Sequence, residues 1–202
     1  MDEHDSSAPT VFQTERLIAR EFTLDDLQSV YEYASDIDNC AFMEWAPETL
    51  EGVRTYLESR LASQIADPRV TYDLALCKKD TGELIGSMGL YLEDDRRTGM
   101  MGWVLNKKFR HMGYALEAAR GFIHFGFLGL DLHRIYAYCD TENTASYRLM
   151  ERLGMRREAH FIKNRFAKVR SRASWRSTYH YAMLRKEYLC SLPDGCYDPA
   201  SR

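Results

Sequence analysis

Between Asn106 and Ala119 the chain reads Asn-Lys-Lys-Phe-Arg-His-Met-Gly-Tyr-Ala-Leu-Glu-Ala-Ala. An apolar run, Met100 to Leu105, precedes this stretch, and Leu116 to Phe127 follows it at helical spacing. The pattern predicts a strand, a turn and a helix. Such a turn presents unpaired backbone N–H groups at a helix N-terminus, with the positive end of the helix dipole behind them. The chemistry it suits is anion binding, above all of a phosphate. Gly113 permits positive φ or close approach to the backbone. Arg110 adds charge, and the small Ala115 lets the helix start sit near a ligand. Arg-x-x-Gly-x-Ala also fits an ordinary strand-to-helix connection with a surface arginine, so the rest of the chain has to decide.

Stepping outward, residues 1–10 are polar and read as disordered, and 11–188 read as one domain. Phe12 to Phe22 reads as a first strand. Thr23, with Asp26 three residues on, starts a helix carrying Leu27, Val30, Tyr31 and Ala34. Asp36 to Pro47 is a loop that holds Phe42, Met43, Glu44 and Trp45, suited either to lining a cleft or to folding back on the core. A second helix follows Thr49, with Leu50, Val53, Leu57 and Leu61 on one side, and Pro68 stops it. Val70 to Leu76, Glu83 to Leu92 and Met100 to Leu105 then form an antiparallel meander, its first turn at Lys79-Asp-Thr-Gly82. After the phosphate-type turn and its helix, whose Glu117, Arg120 and His124 read as a solvent face, Gly129 is the stop. His133 to Cys139 is a strand, Asn143 to Leu153 a short helix, and Met155–Phe166 with Trp175–Lys186 a closing hairpin. Its connection, Lys163 to Arg176, carries six basic residues. Residues 189–202, with Pro193, Gly195 and Pro199, read as an irregular tail. The order is α+β: a central mixed sheet, mostly antiparallel, with about seven strands and about four helices.

Composition bounds the function classes. The chain has 202 residues with 45% hydrophobic and 28% charged content, ordinary for a globular protein with its own core. No apolar run reaches membrane-spanning length, and the acidic start does not resemble a signal peptide. With five cysteines, an odd number, the expectation is a reducing, cytoplasmic location. No Cys/His spacing suits a metal. Charge is uneven: residues 1–66 hold 14 acidic against 4 basic residues, and residues 67–202 hold 16 against 23. A basic half suits an anionic cofactor and an acidic half a cationic substrate. One charged hairpin in a net-acidic chain is poor support for nucleic-acid binding.

Four segments in order carry a resemblance. They are Thr14-Glu-Arg-Leu-Ile-Ala-Arg20 with Asp25; Trp103-Val-Leu followed by Arg110-x-x-Gly-x-Ala115 and Glu117-Ala118; Asn143-x-x-Ser146 followed by Leu153-Gly-Met155; and Trp175 to Leu184. Together they resemble the GCN5-related N-acetyltransferase (GNAT) superfamily, in its RimJ/RimL-type ribosomal-protein and small-amine branch. The resemblance spans roughly residues 12–186. It implies the GNAT fold, splayed between its fourth and fifth strands, and acetyl-CoA as donor, with no metal. The backbone of Val104 and Leu105 would pair with pantetheine. The N–H groups from Arg110 through His111, Met112, Gly113 and Tyr114 to Ala115 would hold the pyrophosphate, and Asn143 the pantetheine arm.

What the resemblance implies for catalysis is direct transfer to a primary amine, such as a peptide N-terminus, a polyamine or another small amine. Such a reaction needs a neutral amine, whereas an α-amine has a pKa of about 8 and a lysine about 10; a carboxylate can take the proton. The tyrosine acid common in the family would fall at Met150 and is absent. The branch points instead to Ser146 for the thiol and to Glu158 as the base. Trp175-Arg176-Ser177 departs from the branch's usual Trp-x-Asp. Glu44, Trp45 and Trp175 are the candidates for acceptor contact, and a homodimer is expected by analogy. The two departures keep a catalytically silent acyl-CoA-binding regulatory module as the alternative.

Overall fold

The computed structural model describes residues 8–43, 47, 49–169 and 172–193. The alternating apolar segments pair into an eight-stranded sheet: β1 (Thr10–Gln13), β2 (Leu17–Arg20), β3 (Thr71–Lys78), β4 (Leu84–Leu92), β5 (Thr98–Leu105), β6 (Arg134–Asp140), β7 (Arg156–Val169) and β8 (Arg172–Leu184). Their spatial order is β1-β2-β3-β4-β5-β6-β8-β7, and only β5 and β6 run parallel. The helices are α1 (Leu27–Ala34), α2 (Leu50–Gln64), α3 (Tyr114–His124), α4 (Thr144–Arg152) and α5 (Arg185–Ser191). This is the expected α+β fold, with one more strand and one more helix than the sequence suggested.

Burial separates the two faces. Leu74, Leu76, Met88, Leu90, Met101, Ile135, Ala137 and Cys139 point toward α3 and α4, where they pack with Ala118, Ala119, Phe122 and Met150. Ala75, Cys77 and Val104 point the other way and pack with Val30, Tyr33, Val53 and Leu57 of α1 and α2. The period-2 alternation of the strands thus builds two cores from one sheet.

Several boundaries differ from the sequence reading, each for a local reason. The first strand is two strands, because the Thr14 hydroxyl accepts from the Leu17 N–H at 3.1 Å and turns the chain back. Order begins before residue 11: the Pro9 carbonyl accepts from the Glu21 N–H at 3.0 Å. The basic connection is not a loop, since β7 and β8 stay paired out to Val169↔Arg172. Beyond Asp140↔Thr178 no β6 residue pairs with β8, so the hairpin projects as a two-stranded arm. The chain after Tyr188 continues as α5 to Ser191, opened by Glu187 accepting from the Leu184 N–H at 2.8 Å. Between α3 and β6 a single π-helical turn, Phe125–Gly129, completes the connection.

The feature that positions the site is the short reach of the β5–β6 ladder. Pairing is confined to Thr98↔Arg134, Gly99↔Ile135 and Met100↔Tyr136. From Met101 to Leu105 the flank of β5 toward β6 has no strand partner, while β4 pairs its other flank through Leu105. The parting strands are the fifth and sixth here, because the expected first strand is a pair. Gly86 sits opposite Leu105, where a Cβ would come within 2.3 Å of the Val104 carbonyl oxygen and 2.8 Å of the Leu105 Cα. Those are backbone atoms and cannot swing aside. Gly86→Ala is therefore expected to cost about 1–3 kcal/mol, read as a lower urea midpoint with unchanged slope.

Candidate active site

At the open end of this gap, β5 leads through Asn106 and the single turn Lys107–Phe109 into the loop before α3. His111 at φ +64° and Gly113 at φ +84° are both left-handed. The N–H groups of His111, Met112 and Gly113 hydrogen-bond to no described residue. Those of Tyr114, Ala115 and Leu116 open α3 and have no intrahelical partner. Six consecutive free donors at a helix start fit a pyrophosphate. Among the described residues the only atom within 4 Å of a Cβ added at Gly113 is the Arg16 Nη2, at 3.3 Å.

The Arg110 N–H is not among these donors, because it bonds to the Lys107 carbonyl at 3.3 Å. Its side chain is also engaged: Nη2 donates to the Asn39 carbonyl at 3.2 Å and to Asn39 Oδ1 at 2.9 Å. Lys107 bridges to Asp36 at 2.5 Å, and Lys108 pairs with Glu32. Together these contacts strap the phosphate-type loop to α1 and to the loop after it. They supply a mechanical role for Arg110 that the sequence did not suggest.

The sequence reading also missed the group on the other side of α3. Arg16 lies over the Tyr114 ring at 4.4 Å, donates to the Met112 carbonyl at 3.1 Å and pairs with Glu117 at 2.6 Å. Glu117 accepts as well from the Thr14 hydroxyl and the Arg16 N–H, both at 2.6 Å. Its carboxylate is only 16% exposed, so it does not belong to a solvent face. Burial pushes its pKa up, but these donors outweigh burial and hold it below the usual carboxylate range. The invisible signal was the 101-residue separation between the partners.

Three residues separate the end of β6 from the start of α4. Asn143 caps it, Oδ1 accepting from the Ser146 N–H at 3.1 Å, and its Nδ2 has no hydrogen bond to a described residue. The Ser146 hydroxyl is half-buried and makes no hydrogen bond among the described residues. Met150, one turn on and on the same side, is fully buried in the core. Glu158 stands at the other end of the gap, beside the first residue of β6. It accepts from Arg134 at 3.0 and 2.5 Å and from Arg156 at 2.6 Å. The Arg134 bonds chiefly, and those from Arg156, hold its pKa down to about 2 against the opposing effect of burial.

The opposite face of the sheet carries a row of polar aromatic groups. Asp73 accepts from the hydroxyls of Tyr56 at 2.9 Å and Tyr91 at 3.0 Å and from Arg60 at 3.1 Å. Burial raises the Asp73 pKa in spite of these donors. Tyr136 donates to Glu93 at 2.5 Å, and Tyr138 stacks on His180. Of the remaining acceptor candidates, Glu44 and Trp45 lie outside the described residues. Trp175 is 59% exposed on the arm, packed edge-on against Phe166. Cys139 is buried beside the gap with its pKa pushed up to about 12 by burial first and by Asp140 second, so it is a poor nucleophile at neutral pH.

The sequence matches the family described as "Acetyltransferase (GNAT) domain" over residues 16–156. The chain belongs to the GNAT acetyltransferase family. The protein named "Uncharacterized N-acetyltransferase YnaD" of Bacillus subtilis (strain 168) is 36% identical over 178 residues, 87% of this chain and 97% of that protein. A GNAT-family acetyltransferase from Bacillus anthracis of known structure is 32% identical with a TM-score of 0.76, covering 87% of this chain and 98% of that one. Spermidine N-acetyltransferase from Vibrio cholerae, solved with CoA and spermine, shares the fold at 16% identity and a TM-score of 0.72, over 86% of this chain and 98% of that one. The GNAT donor is acetyl-CoA, and the six free N–H groups and the unpaired flank of β5 fit its pyrophosphate and pantetheine. Among the described residues no cluster of three His, Cys, Asp or Glu could hold a metal, and no helix is long and apolar enough to cross a membrane.

The Glu158 pairing has a consequence for stability. A carboxylate held below its ordinary value of 4.5 stabilises the fold above that pH and loses the contribution as pH falls toward about 2. Glu158→Gln should flatten the decline in melting temperature between these two values, leaving neutral stability lower than wild type, as thermal scans across the pH series would record.

Proposed function

We propose that the protein is an acetyl-CoA-dependent N-acetyltransferase that moves acetyl directly to a primary amine, either a protein N-terminal α-amine or a small-molecule amine. The observation that carries the reading is the coincidence of two unpaired backbone surfaces. The β5 flank from Met101 to Leu105 opens toward the gap, and the N–H groups from His111 to Ala115 stand at its open end. Val104 and Leu105 would pair with the pantetheine as a further strand does. His111, Met112, Gly113, Tyr114 and Ala115 would bind the pyrophosphate through their N–H groups, and Asn143 would reach the pantetheine through Nδ2. Arg110 belongs to the same site as the strap that fixes the loop.

In this reading the amine nitrogen forms its bond to the acetyl carbonyl carbon while the carbon–sulfur bond breaks. A backbone N–H on the β5 flank steadies the charge developing on the carbonyl oxygen. Ser146, with its free hydroxyl, supplies a proton to the leaving sulfur. A carboxylate with a pKa of about 2 has little affinity for a proton from an amine, so we assign Glu158 to holding Arg134 and Arg156 rather than to the proton transfer. No nucleic acid or membrane enters the scheme, and a reducing compartment suits thiols that form no disulfide, as at Cys40, Cys77, Cys139 and Cys190. A silent acyl-CoA-binding module is the second reading, favoured by the burial of Met150 at the position of the common tyrosine acid.

The deciding experiment is CoA release from acetyl-CoA across a panel of peptide N-termini, polyamines and small amines. Turnover with any of them supports the enzyme, whereas tight acetyl-CoA binding without turnover selects the silent module. Gly113→Asp places a carboxylate and a left-handed Cβ against the pyrophosphate and should weaken acetyl-CoA binding on the order of 10²-fold by calorimetry. Unchanged affinity would remove this loop from the site. Ser146→Ala should lower kcat on the order of 10²-fold with little change in acetyl-CoA affinity; an unaltered kcat would exclude the serine.

A further inference from the structure

On the face of the sheet away from α3 and α4, His180 of β8 is the direct cross-strand partner of Tyr138 of β6. The two rings stack with centroids 5.2 Å apart and an interplanar angle of 17°. Phe161 of β7 closes the other side edge-on at 4.9 Å. The imidazole is half-buried and hydrogen-bonds to no described residue. Its place along the gap is set by register. The last β5–β6 pair is Met100↔Tyr136, so Tyr138 is the first residue on this face past the point of closure. A pantetheine arm entering from the phosphate-type loop at the open end brings its thioester toward the closing end, beside Tyr138.

Several other ionisable groups on this face are committed elsewhere. Tyr136 is bonded to Glu93, Tyr33 to Ser87, and Asp73 to Arg60, Tyr56 and Tyr91. Toward the closed end, Glu158 is paired with Arg134 and Arg156. Toward the open end, Asp140 faces Arg176 at 3.5 Å and accepts from the Glu142 N–H at 2.8 Å. We infer that His180 is the general base of the transfer, taking the proton from the acceptor amine directly or through one water, with Tyr138 and Phe161 fixing the plane of its ring. The inference rests on the N-acetyltransferase reading.

The proton balance is simple. As the nitrogen–carbon bond forms, one amine proton passes to an imidazole nitrogen of His180. The electron pair of the broken carbon–sulfur bond leaves with sulfur, which takes the Ser146 hydroxyl proton as the serine takes one from a solvent water, and His180 later returns its proton to solvent, so one proton leaves nitrogen and one reaches sulfur. Partial burial lowers the His180 pKa from its ordinary value, which keeps the ring neutral and able to accept at neutral pH. The aromatic walls also suit a cationic acceptor before it is deprotonated.

The test compares wild type with His180→Gln and His180→Ala in the CoA-release assay, using an amine found in the panel. Wild-type kcat at saturating amine, which does not report the free amine's own ionisation, should fall on the acid side with an apparent pKa below 6.5. Both variants should lose about 10²-fold in kcat and lose that limb, while keeping acetyl-CoA affinity. Added imidazole should restore His180→Ala in part, which a merely structural histidine would not allow. Variant kcat within about twofold of wild type, or a limb in kcat below 6.5 that persists without His180, overturns the assignment. Should a variant fail to fold, the wild-type limb decides, and its absence overturns the inference. Wild type that binds acetyl-CoA yet acetylates no amine defeats the transferase reading itself, whereas turnover by wild type and variants alike defeats only the histidine.

Discussion

β5 and β6 start side by side and then part after three pairs. Inside a sheet that is a costly arrangement, because backbone groups without partners lose the equivalent of a hydrogen bond when they are kept from water. The wedge persists because the two strands are held independently. β4 grips β5 over seven residue pairs, and β8 grips β6 over seven more. Beneath the gap, Met101, Leu105, Ala137 and Cys139 pack with Ala118, Ala119 and Met150 in one apolar cluster. That packing keeps water from entering on the helical side. What remains open is a slot with backbone donors and acceptors along one wall, suited to an extended ligand that carries amides.

The slot ends in a loop that cannot relax away from it. Lys107, Lys108 and Arg110 tie it to α1 and the following loop, and Arg16 ties it to Glu117, Tyr114 and Met112. Most of these ion pairs are partly exposed, and individually such pairs contribute little to stability. Their effect is geometric: they fix a left-handed His111 and Gly113 so that the N–H groups converge before any anion arrives. A donor set held in advance loses less entropy on binding.

The two faces of the sheet divide the chemistry. One face is covered by α3 and α4, which supply the phosphate-type loop and the Asn143–Ser146 cap. The other is only partly covered by α1 and α2 and carries Asp73, Tyr91, Tyr136, Tyr138 and His180. A ligand lying in the slot is reached from both faces at once. The slot therefore brings together groups that neither helical layer could hold alone.

How much of this was legible in the sequence follows from the range of each interaction. Local features were readable: Gly113 and the loop around it, the Thr49 and Asn143 caps, the strand alternation that sorts the two cores, and the ordered segments that resemble GNAT proteins. Each depends on residues only a few positions apart. The wedge was legible only through that resemblance, because which strand neighbours β5, and for how long, is a pairing between residues 36 apart. The Arg16–Glu117 pair and the Arg110–Asn39 strap link residues 101 and 71 apart, and a charged side chain gives no local sign of its distant partner. For the same reason the Arg134 partner of Glu158, a residue that only the resemblance pointed to as a base, was not visible in the sequence. His180, an unremarked residue in a strand, acquired its surroundings from β6 and β7. The sequence by itself determined the strand, turn and helix around Asn106 to Ala119, because backbone conformation there is set by local residue types, and the ordered segments that resemble GNAT proteins carried the class of donor. Tertiary structure alone decided which ionisable groups are already paired and that His180 stacks on Tyr138, one strand from the slot, because that depends on register between strands distant in the chain.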